Sequence, residues 1–244
     1  MAEELLGKRA LVTGAGKRIG KEIALELARA GADLVVHVNS SPTEGEATAA
    51  AVRALGRRAS VVRADQRDVA AVERACAEAL AGGPVDILVN SAAIWPHVEL
   101  DSCAQEDFDL ALEVNLRGPF FWARHLGPAM RARGGCIVNI ADVTADRPWA
   151  DSIPYCMAKA GVVAMTYGLA KALAPKVRVN AIGPGPMIFP PDYPDDLKEK
   201  DLEATLLRRE GSPADIARAV RYFAANDYVT GVFLPVDGGF RFGI

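Results

Sequence analysis

Residues 10–38, ALVTGAGKRIGKEIALELARAGADLVVHV, decide the fold of this chain. An apolar run leads into a glycine-rich loop, then into a segment whose apolar residues have helical spacing, and finally into a second apolar run that begins at Asp33. This order is typical of a β-α-β unit, in which a helix joins two parallel strands. The continuous apolar runs favour strands that are covered on both faces.

The same alternation continues along the rest of the chain. Helical segments at 19–32 and 43–56 both end near a glycine, a usual helix stop. No linker, composition shift or internal repeat divides the sequence. We therefore predict an α/β fold of the Rossmann type, a single domain over residues 1–244 with a doubly wound parallel sheet of about seven strands and helices on both faces. The predicted strands are 10–14, 33–38, 59–65, 86–92, 136–141, 177–183 and 232–238.

The composition is that of an ordinary globular protein. Half of the 244 residues are hydrophobic and 24% are charged, and the net charge of −3 provides no basic surface for nucleic acid. No apolar run has the length of a transmembrane helix, and the acidic N-terminus leaves no room for a signal peptide. We expect a cytoplasmic protein with neither membrane nor nucleic-acid partners. The cysteines and histidines are scattered, so we expect no metal site.

The loop after the first strand has the composition of a phosphate-binding site. Glycines allow a tight turn and a close approach of the backbone, and the following helix supplies free N–H groups at its N-terminus. Lys17 and Arg18 stand in this loop, whereas no carboxylate follows the second strand, where the chain reads Asn39-Ser40-Ser41. Because a carboxylate there would repel the 2′-phosphate and cationic or hydroxyl groups would favour it, we predict NADP(H) as the cofactor.

A second stretch, residues 139–161 (NIADVTADRPWADSIPYCMAKAG), carries groups suited to acid–base chemistry. Tyr155 lies four residues before Lys159, so both side chains share one face of a helix. Asp142 precedes the tyrosine by thirteen residues, at the end of a predicted strand. We predict that a carboxyl, a phenol and an ammonium group meet there around one substrate.

Taken in order, these motifs resemble the short-chain dehydrogenase/reductase family over essentially the whole chain. The landmarks are the Thr13–Gly20 loop, Asp65, Asn90-Ser91-Ala92, Asn115, the Tyr155–Lys159 pair, Pro184-Gly185 and the terminal Val236-Asp237-Gly238-Gly239. Together with the loop argument, the resemblance implies a set of cofactor-binding residues: Gly14, Lys17, Arg18, Ile19, Gly20, Asn39, Ser40, Ser41, Asp65, Gln66, Asn90, Ser91, Ala92, Tyr155, Lys159, Pro184 and Gly185.

Where the sequence departs from the common family pattern, it resembles the pteridine reductases. Arg18 stands where the family loop usually has glycine, and Asp142 stands where it usually has a catalytic serine. Trp95 follows the fourth strand, where those enzymes have an aromatic residue that sandwiches a pterin against the nicotinamide. The resemblance implies an NADPH-dependent pteridine reductase that acts on a dihydropterin or on dihydrofolate. Its substrate-binding residues would be Arg18, Trp95, Asp142 and Tyr155.

The resemblance also implies a role for each catalytic residue. Tyr155 would donate a proton, Lys159 would hold the nicotinamide ribose, and Asn115 would bind a water that connects to the lysine. A phenol has an ordinary pKa of about 10, and a nearby ammonium is expected to lower that pKa. Asp142, hydrogen-bonded to Tyr155, would supply a proton for the reduction of a C=N bond.

Two other functions stay open on the sequence. The first is a carbonyl reductase of the same family, acting on a 3-oxoacyl thioester, a sugar or an alcohol, and the second is a sensor of NADP(H) without catalysis. The proline-rich and charged segment at about 186–210 suits a lid over the substrate. The family is commonly tetrameric, and the apolar residues 240–244 would suit such an interface, so we expect a homotetramer.

Overall fold

The computed structural model describes residues 3–189 and 193–243. Its strands are β1 (Arg9–Val12), β2 (Asp33–Val38), β3 (Ala59–Arg63), β4 (Ile87–Asn90), β5 (Gly135–Ile140), β6 (Val177–Pro184) and β7 (Phe233–Val236). They form one sheet in the order β3-β2-β1-β4-β5-β6-β7, and every neighbouring pair is parallel. The predicted fold class is confirmed.

Helices cover both faces of the sheet. They are α1 (Arg18–Arg29), α2 (Pro42–Ala54), α3 (Val69–Ala81), α4 (Gln105–Leu112), α5 (Gly118–Arg131), α6 (Ile153–Leu173), α7 (Asp195–Glu203) and α8 (Pro213–Ala225). Helices α1, α2 and α8 pack on one face, and α3, α5 and α6 pack on the other. Within the part of the chain that the structure describes, no helix combines the length and apolarity needed to cross a bilayer.

The strands are apolar because each one feeds two separate cores. In β1, Ala10 and Val12 join the core beneath α1 and α8, whereas Leu11 joins the core beneath α3 and α5. Strand β4 repeats the pattern, with Leu88 pointing away from its two neighbours. Successive side chains of a strand point to opposite faces, so a strand between two helical layers needs apolar residues at every position.

The segment between β6 and α8 is the least regular part of the fold. The sequence predicts a short, charged helix after the prolines, and α7 lies there. Prolines 190 and 191 and residue 192 lie outside the described residues, so the predicted lid of 186–210 is described only at 186–189 and 193–210.

Candidate functional site

A cavity of about 1210 Å³ opens at the carboxyl ends of the strands. The strand order reverses direction between β1 and β4, which is the position where open α/β sheets bind their ligands. Its lining includes the glycine-rich loop, the loops after β2 to β6, and one face of α6. Most of the site residues predicted from sequence therefore come together around one space.

The glycine-rich loop is held tightly against the loop after β4. The Thr13 hydroxyl accepts hydrogen bonds from the backbone N–H groups of Ser91 (2.9 Å) and Ala92 (3.0 Å). Gly14 has a φ of 67°, and a Cβ at this position would lie 2.8 Å from the Ala92 Cα. Only glycine fits both the conformation and the close approach.

Helix α1 presents its N-terminus to the cavity. Its first residue follows Lys17, whose side chain makes no capping hydrogen bond, so the first N–H groups remain available to an anion. Gly20 lies in the first turn, and a Cβ there would come within 2.3 Å of the Gly14 carbonyl oxygen. This helix start has the shape and the polarity of a phosphate cradle, so the residues present fit a dinucleotide.

Arg18 has a φ of 53°, in the left-handed region that favours glycine. For a residue with a side chain, this conformation costs roughly 1–2 kcal/mol. The observed φ explains why related loops use glycine here. Arg18 is exposed and lines the cavity, so the strained backbone places a cationic residue in the lining at the start of α1.

His37 supports the loop from below and was not predicted from sequence. It is buried in β2, where its Nδ1 accepts from the Gly14 N–H (3.3 Å) and its Nε2 contacts the Ala64 carbonyl oxygen (3.0 Å). These two partners require the neutral ring with the proton on Nε2. Burial lowers the pKa of His37 to about 4, so the ring stays neutral. An isolated histidine inside an apolar strand is the sequence feature that marks it.

Beyond the glycine-rich loop, polar residues surround the place expected for the adenosine ribose. Asn39, Ser40 and Ser41, which are predicted to bind the cofactor, line the cavity. Asp65 is also there, but its carboxylate forms a bidentate pair with Arg67, at 2.6 Å for the shortest contact. The pKa of Asp65 is lowered, chiefly by that hydrogen bond. Arg67 therefore neutralises the charge of Asp65, the one carboxylate predicted near the adenosine ribose.

Gln66 closes the floor of the cavity between two backbone segments. Its Nε2 donates to the carbonyl oxygens of Ala92 (3.1 Å) and Val114 (2.7 Å). Its hydrocarbon stem lies where a Cβ of Gly118 would be, 2.8 Å from the Gln66 Cγ. Gln66 therefore joins the ends of β3 and β4 to the helical segment before α5.

Asp142 and Tyr155 form the central hydrogen bond of the site. The Tyr155 hydroxyl donates to Asp142 Oδ2 at 2.7 Å, and Asp142 Oδ1 accepts from the Thr144 N–H at 2.9 Å. Asp142 is placed by the end of β5 and by a 3-10 turn that it caps, and Tyr155 lies in the first turn of α6. The predicted meeting of these two side chains is present.

Lys159 lies one turn further along α6, and its side chain is buried. The ammonium donates to the Ile140 carbonyl oxygen at 2.9 Å and lies 5.6 Å from the centre of the Tyr155 ring. Burial lowers the pKa of Lys159 to about 8, against a smaller rise caused by Asp142. The carbonyl at the end of β5 thus fixes the lysine beside the phenol.

The pKa of Tyr155 departs from the sequence expectation. Burial is the largest cause that raises it well above its ordinary value, and the charge and hydrogen bond of Asp142 raise it further. Burial also raises the pKa of Asp142, although Thr144, Lys159 and Tyr155 oppose that shift. The expected lowering by Lys159 is absent because the carboxylate is hydrogen-bonded to the phenol, whereas the ammonium is not. Tyr155 is therefore held in its protonated form.

Two asparagines predicted at the site lie behind the cavity wall. Asn115 is buried in a π-helical turn between α4 and α5, where its amide donates to the Ala111 carbonyl oxygen and accepts from the Ile94 N–H. Asn90 donates to Asn139 Oδ1 at 2.8 Å. Neither side chain lines the cavity, because the backbone and the neighbouring amide engage both of them. They position the loops that do.

The Asn90 contact continues as a chain of buried hydrogen bonds. Asn139 Nδ2 donates to the Thr166 hydroxyl at 2.9 Å, and that hydroxyl donates to the Val162 carbonyl oxygen at 2.8 Å. Three elements are joined in this way: β4, β5 and α6. Because α6 carries Tyr155 and Lys159, these hydrogen bonds fix the helix that bears both side chains against the sheet.

Aromatic side chains form the outer wall of the pocket. The Trp95 indole lies 5.4 Å from the ring of Trp149, 4.2 Å from His97 and 6.5 Å from Tyr155, between ring centroids. Its Nε1 donates to the hydroxyl of the fully buried Ser152 at 3.2 Å. Trp95 was predicted from the resemblance, whereas Trp149 and Ser152 were not. Their spacing along the sequence gives no periodic pattern that would have marked them.

The loop after β6 closes the remaining side. Pro184 and Gly185, which are predicted to bind the cofactor, line the cavity, and Met187, Ile188 and Phe189 extend the wall. A Cβ on Gly185 would lie 2.6 Å from the Asp237 Cα, so the loop passes directly over the residues after β7. Tyr193 and Asp201, which hydrogen-bond to each other at 2.7 Å, line the cavity from the segment around α7.

The C-terminal residues pack onto the loop that carries Asp142. Arg147 donates to the carbonyl oxygens of Phe240 and Gly243, both at 2.9 Å, and its guanidinium lies over the Phe240 ring. Phe240 is buried, whereas Phe242 is 67% exposed. Of the apolar residues 240–244, the structure therefore buries Phe240 within the subunit itself. Ile244 lies outside the described residues.

Comparisons with known proteins agree with this architecture. A family model described as enoyl-(acyl carrier protein) reductase matches residues 14–241. A 3-oxoacyl-[acyl-carrier-protein] reductase of Staphylococcus epidermidis is 33% identical over 241 residues, which cover 96% of this chain and 99% of that protein.

Solved structures give the same result. A blue fluorescent protein from a metagenomic library, in complex with NADPH, superposes with a TM-score of 0.92 at 34% identity, covering 97% of this chain and 99% of that one. A short-chain dehydrogenase/reductase from Serratia marcescens superposes with a TM-score of 0.92 at 33% identity, covering 98% and 99%. This chain belongs to the short-chain dehydrogenase/reductase family.

Proposed function

We propose that the protein is an NADPH-dependent reductase whose substrate is a pterin. The observation that carries the choice of substrate is the 2.7 Å hydrogen bond from Tyr155 to Asp142. A carboxyl group next to the proton donor suits a C=N bond, which takes a hydride at carbon and a proton at nitrogen. The aromatic wall around Trp95 suits a flat ring, to which stacking adds about 0.5–1.5 kcal/mol beyond burial.

A carbonyl compound is the second candidate, and the comparisons favour it. The named relative acts on 3-oxoacyl groups carried by acyl carrier protein. At 33% identity the family is shared, but the residue that faces the substrate differs from the usual serine of the family. We place the pterin first because Asp142 lies against Tyr155. The third reading, a cofactor sensor, is weakened by the intact Tyr155–Lys159 pair, which a sensor does not need.

NADPH supplies a hydride when it is bound. Lys17, Arg18 and the N-terminus of α1 would hold its phosphates, and Ser40 and Ser41 would contribute hydroxyls at the ribose corner. Lys159 would hold the ribose next to the nicotinamide. Tyr155 keeps its proton near neutral pH because of burial and Asp142, and it delivers that proton to the substrate. After that transfer Asp142, whose pKa is raised, can take a proton from solvent and pass it to Tyr155.

The segment of 186–210 would act as the lid of this single-domain enzyme. Its described residues supply Met187, Phe189 and Tyr193 to the cavity wall, which supports that role. We also propose that the enzyme assembles as a homotetramer. In support, α5 and α6 carry large exposed side chains at Phe120, Met157 and Tyr167. Light scattering of the purified protein tests the assembly.

One assay tests the proposed function. NADPH oxidation is measured with dihydrobiopterin, dihydrofolate and acetoacetyl thioester in parallel, and each is repeated with NADH. We expect turnover of a dihydropterin and a preference for NADPH. Turnover of the thioester alone would establish the second candidate and remove the first. A preference for NADH would contradict the roles given to Lys17 and Ser40.

Replacing Gly20 by alanine should destroy the phosphate cradle. The new Cβ would lie 2.3 Å from the Gly14 carbonyl oxygen, a backbone atom that no rotamer change can move. We expect NADPH affinity to fall at least tenfold, since the turn must open to admit the methyl group, a misfit of the kind that costs about 1–3 kcal/mol. Fluorescence titration of NADPH measures it. Gly168→Ala, where a Cβ meets nothing within 4 Å, is the matched control and should bind NADPH normally.

NADPH affinity should depend on pH through Lys159. Burial lowers the pKa of this lysine to about 8, so above that pH the free enzyme loses the positive charge that holds the ribose. We expect the Kd for NADPH to rise as the pH increases from about 7 to 9. Lys159→Met should bind NADPH more weakly at every pH and without this rise, because it has nothing to titrate there. An equal rise in both proteins would assign the titration to another group.

A further inference from the structure

The two ends of the cavity carry opposite charge. At the cofactor end the lining includes Lys17, Arg18 and Arg67. Asp65 is paired with Arg67, so the two charges of Lys17 and Arg18 leave this end positive. At the substrate end, beyond Asp142 and Tyr155, the charged side chains that line it are three carboxylates and one histidine: Glu99, Asp151, Asp201 and His97. The cavity therefore becomes acidic at the point where a substrate would extend toward solvent.

The basic residues near this end are directed elsewhere. Lys198 lies over the Phe189 ring, at 4.9 Å from its centre, but its ammonium is paired with Glu210 at 3.2 Å. Arg147 is committed to carbonyl oxygens of the C-terminal residues. Of the described residues that line the mouth, His97 is the only one able to carry a positive charge, and its Nδ1 lies 3.6 Å from Asp151 Oδ2.

The three carboxylates stand on separate elements. Glu99 follows the Trp95 loop and is exposed, Asp151 precedes α6, and Asp201 lies in α7, where it accepts from the Tyr193 hydroxyl. The loops that carry the first two are joined by a hydrogen bond from the Val98 N–H to the Asp151 carbonyl oxygen at 2.9 Å. The loops that carry Glu99 and Asp151 are therefore the same loops that carry Trp95 and Trp149 of the aromatic wall.

We propose that this mouth selects substrates whose reactive ring or carbonyl carries an uncharged or cationic tail, and rejects those with an anionic tail. The inference rests on the proposed function, since it concerns the part of that substrate which projects past Trp95 and Trp149. It admits a pterin with a hydroxyalkyl side chain. It disfavours the glutamate of a folate and the phosphates of a coenzyme A or carrier-protein thioester.

The physical reason is electrostatic repulsion between the carboxylates of the mouth and an anionic substrate tail in a partly enclosed site. Two like charges at about 4 Å repel each other about four times more strongly at the lower effective dielectric near a protein surface than in water. Several carboxylates around one anionic tail would add to the penalty, and dissolved salt would reduce it within roughly 10 Å at 0.1 M. Selection of this kind works by weakening the binding of anionic substrates rather than by strengthening the binding of neutral ones.

The test compares substrates that share the reacting group and differ in tail charge. One pair is a 6-hydroxyalkyl dihydropterin and its 6-carboxyalkyl analogue, and the other is the acetoacetyl thioester of N-acetylcysteamine and that of coenzyme A. We expect kcat/KM to favour the neutral member of the active pair by at least ~5-fold at low salt, with the ratio shrinking at 0.5 M NaCl. Equal or higher kcat/KM for the anionic member overturns the inference.

Variants of the mouth make the same comparison within the protein. Glu99→Gln and Asp151→Asn combined should raise kcat/KM for the anionic member by ~3-fold or more and leave the neutral member within twofold. Asp101→Asn serves as the matched control, since Asp101 is exposed near the mouth but does not line the cavity. A similar gain in Asp101→Asn, or no gain in the double variant, contradicts the proposal.

A binding measurement separates failure of this inference from failure of the proposed function. Quenching of Trp95 and Trp149 fluorescence by the same compounds, with NADP⁺ present, reports occupancy of the pocket without turnover. Stronger binding of neutral members in the absence of any turnover would refute the proposed reaction and keep the selection by charge. Equal binding of neutral and anionic members, or no binding of either, refutes the selection.

Discussion

Tyr155→Phe should lower turnover by about 10²–10⁴-fold while leaving NADPH affinity within twofold. The phenyl ring keeps its place in the first turn of α6, so the lysine one turn later stays where the Ile140 carbonyl oxygen holds it. What is removed is the proton itself and the hydrogen bond to Asp142. Steady-state kinetics and NADPH titration measure the two effects separately.

The control for this variant is another tyrosine. Tyr228 follows α8 and is 97% exposed, and Tyr228→Phe removes a hydroxyl that lies outside the cavity lining. We expect it to retain the activity of the unmodified protein. Turnover of Tyr155→Phe within tenfold of that activity would show that another group donates the proton.

The second large effect is expected from Asp142→Ser. Removing the carboxylate takes away the hydrogen bond that orients the Tyr155 hydroxyl, and it removes the group that can pass a proton back to the phenol. We expect turnover of a dihydropterin to fall at least ~100-fold, in the range typical of a lost acid–base group. NADPH affinity should remain nearly unchanged, because within the described residues the Asp142 carboxylate hydrogen-bonds only to Tyr155 and Thr144.

The same variant distinguishes the two substrate candidates. A serine hydroxyl donates to a carbonyl oxygen, so acetoacetyl thioester should be reduced as well as before or better. Asp146→Ser is the matched control on the same loop, since Asp146 is exposed and contacts Arg241 only at 3.5 Å. Parallel losses of pterin turnover and NADPH affinity in Asp142→Ser would mean that Asp142 maintains the loop rather than the reaction.

The fold was predictable because it depends on patterns that are local in sequence. Apolar runs without alternation indicate strands between two helical layers, and strand β1, the glycine loop and α1 are adjacent in the chain. Element ends differ from prediction by a few residues: β4 is Ile87–Asn90, where 86–92 was predicted, and β7 is Phe233–Val236, where 232–238 was predicted. For β4 the predicted end includes Ser91 and Ala92, which belong to a loop that lines the cavity.

The site was predictable only where a motif carried it. Tyr155, Lys159 and Asp142 come from one stretch, and their meeting follows from helix spacing and a strand end. The partners that hold them come from elsewhere: Ser152 reaches back to Trp95, and His37 in β2 supports Gly14. Such contacts depend on how segments distant in sequence pack together, and the spacing of residues along the chain does not indicate that packing.

The pKa of Tyr155 shows a second limit. From sequence, an ammonium four residues away is expected to lower it, whereas in the structure burial and Asp142 raise it. Helix spacing places Lys159 on the correct face, but it does not say which group will hydrogen-bond to the phenol. The hydrogen-bond partner of the phenol depends on where the Ile140 carbonyl oxygen holds the Lys159 ammonium and where the 3-10 turn holds the Asp142 carboxylate.

The buried hydrogen bonds from Asn90 through Asn139 to Thr166 have a consequence for laboratory evolution of this enzyme. Each member satisfies the next, so a single change such as Asn139→Leu takes an acceptor from the Asn90 amide and a donor from the Thr166 hydroxyl, at about 0.5–1.5 kcal/mol for each lost hydrogen bond. The amide keeps the Pro119 carbonyl oxygen at 3.3 Å, and the hydroxyl keeps the Val162 carbonyl oxygen at 2.8 Å. Replacing all three by apolar residues of similar shape avoids that penalty. A library that varies position 139 alone will therefore yield mostly destabilised variants. A library that varies the three positions together can contain stable ones.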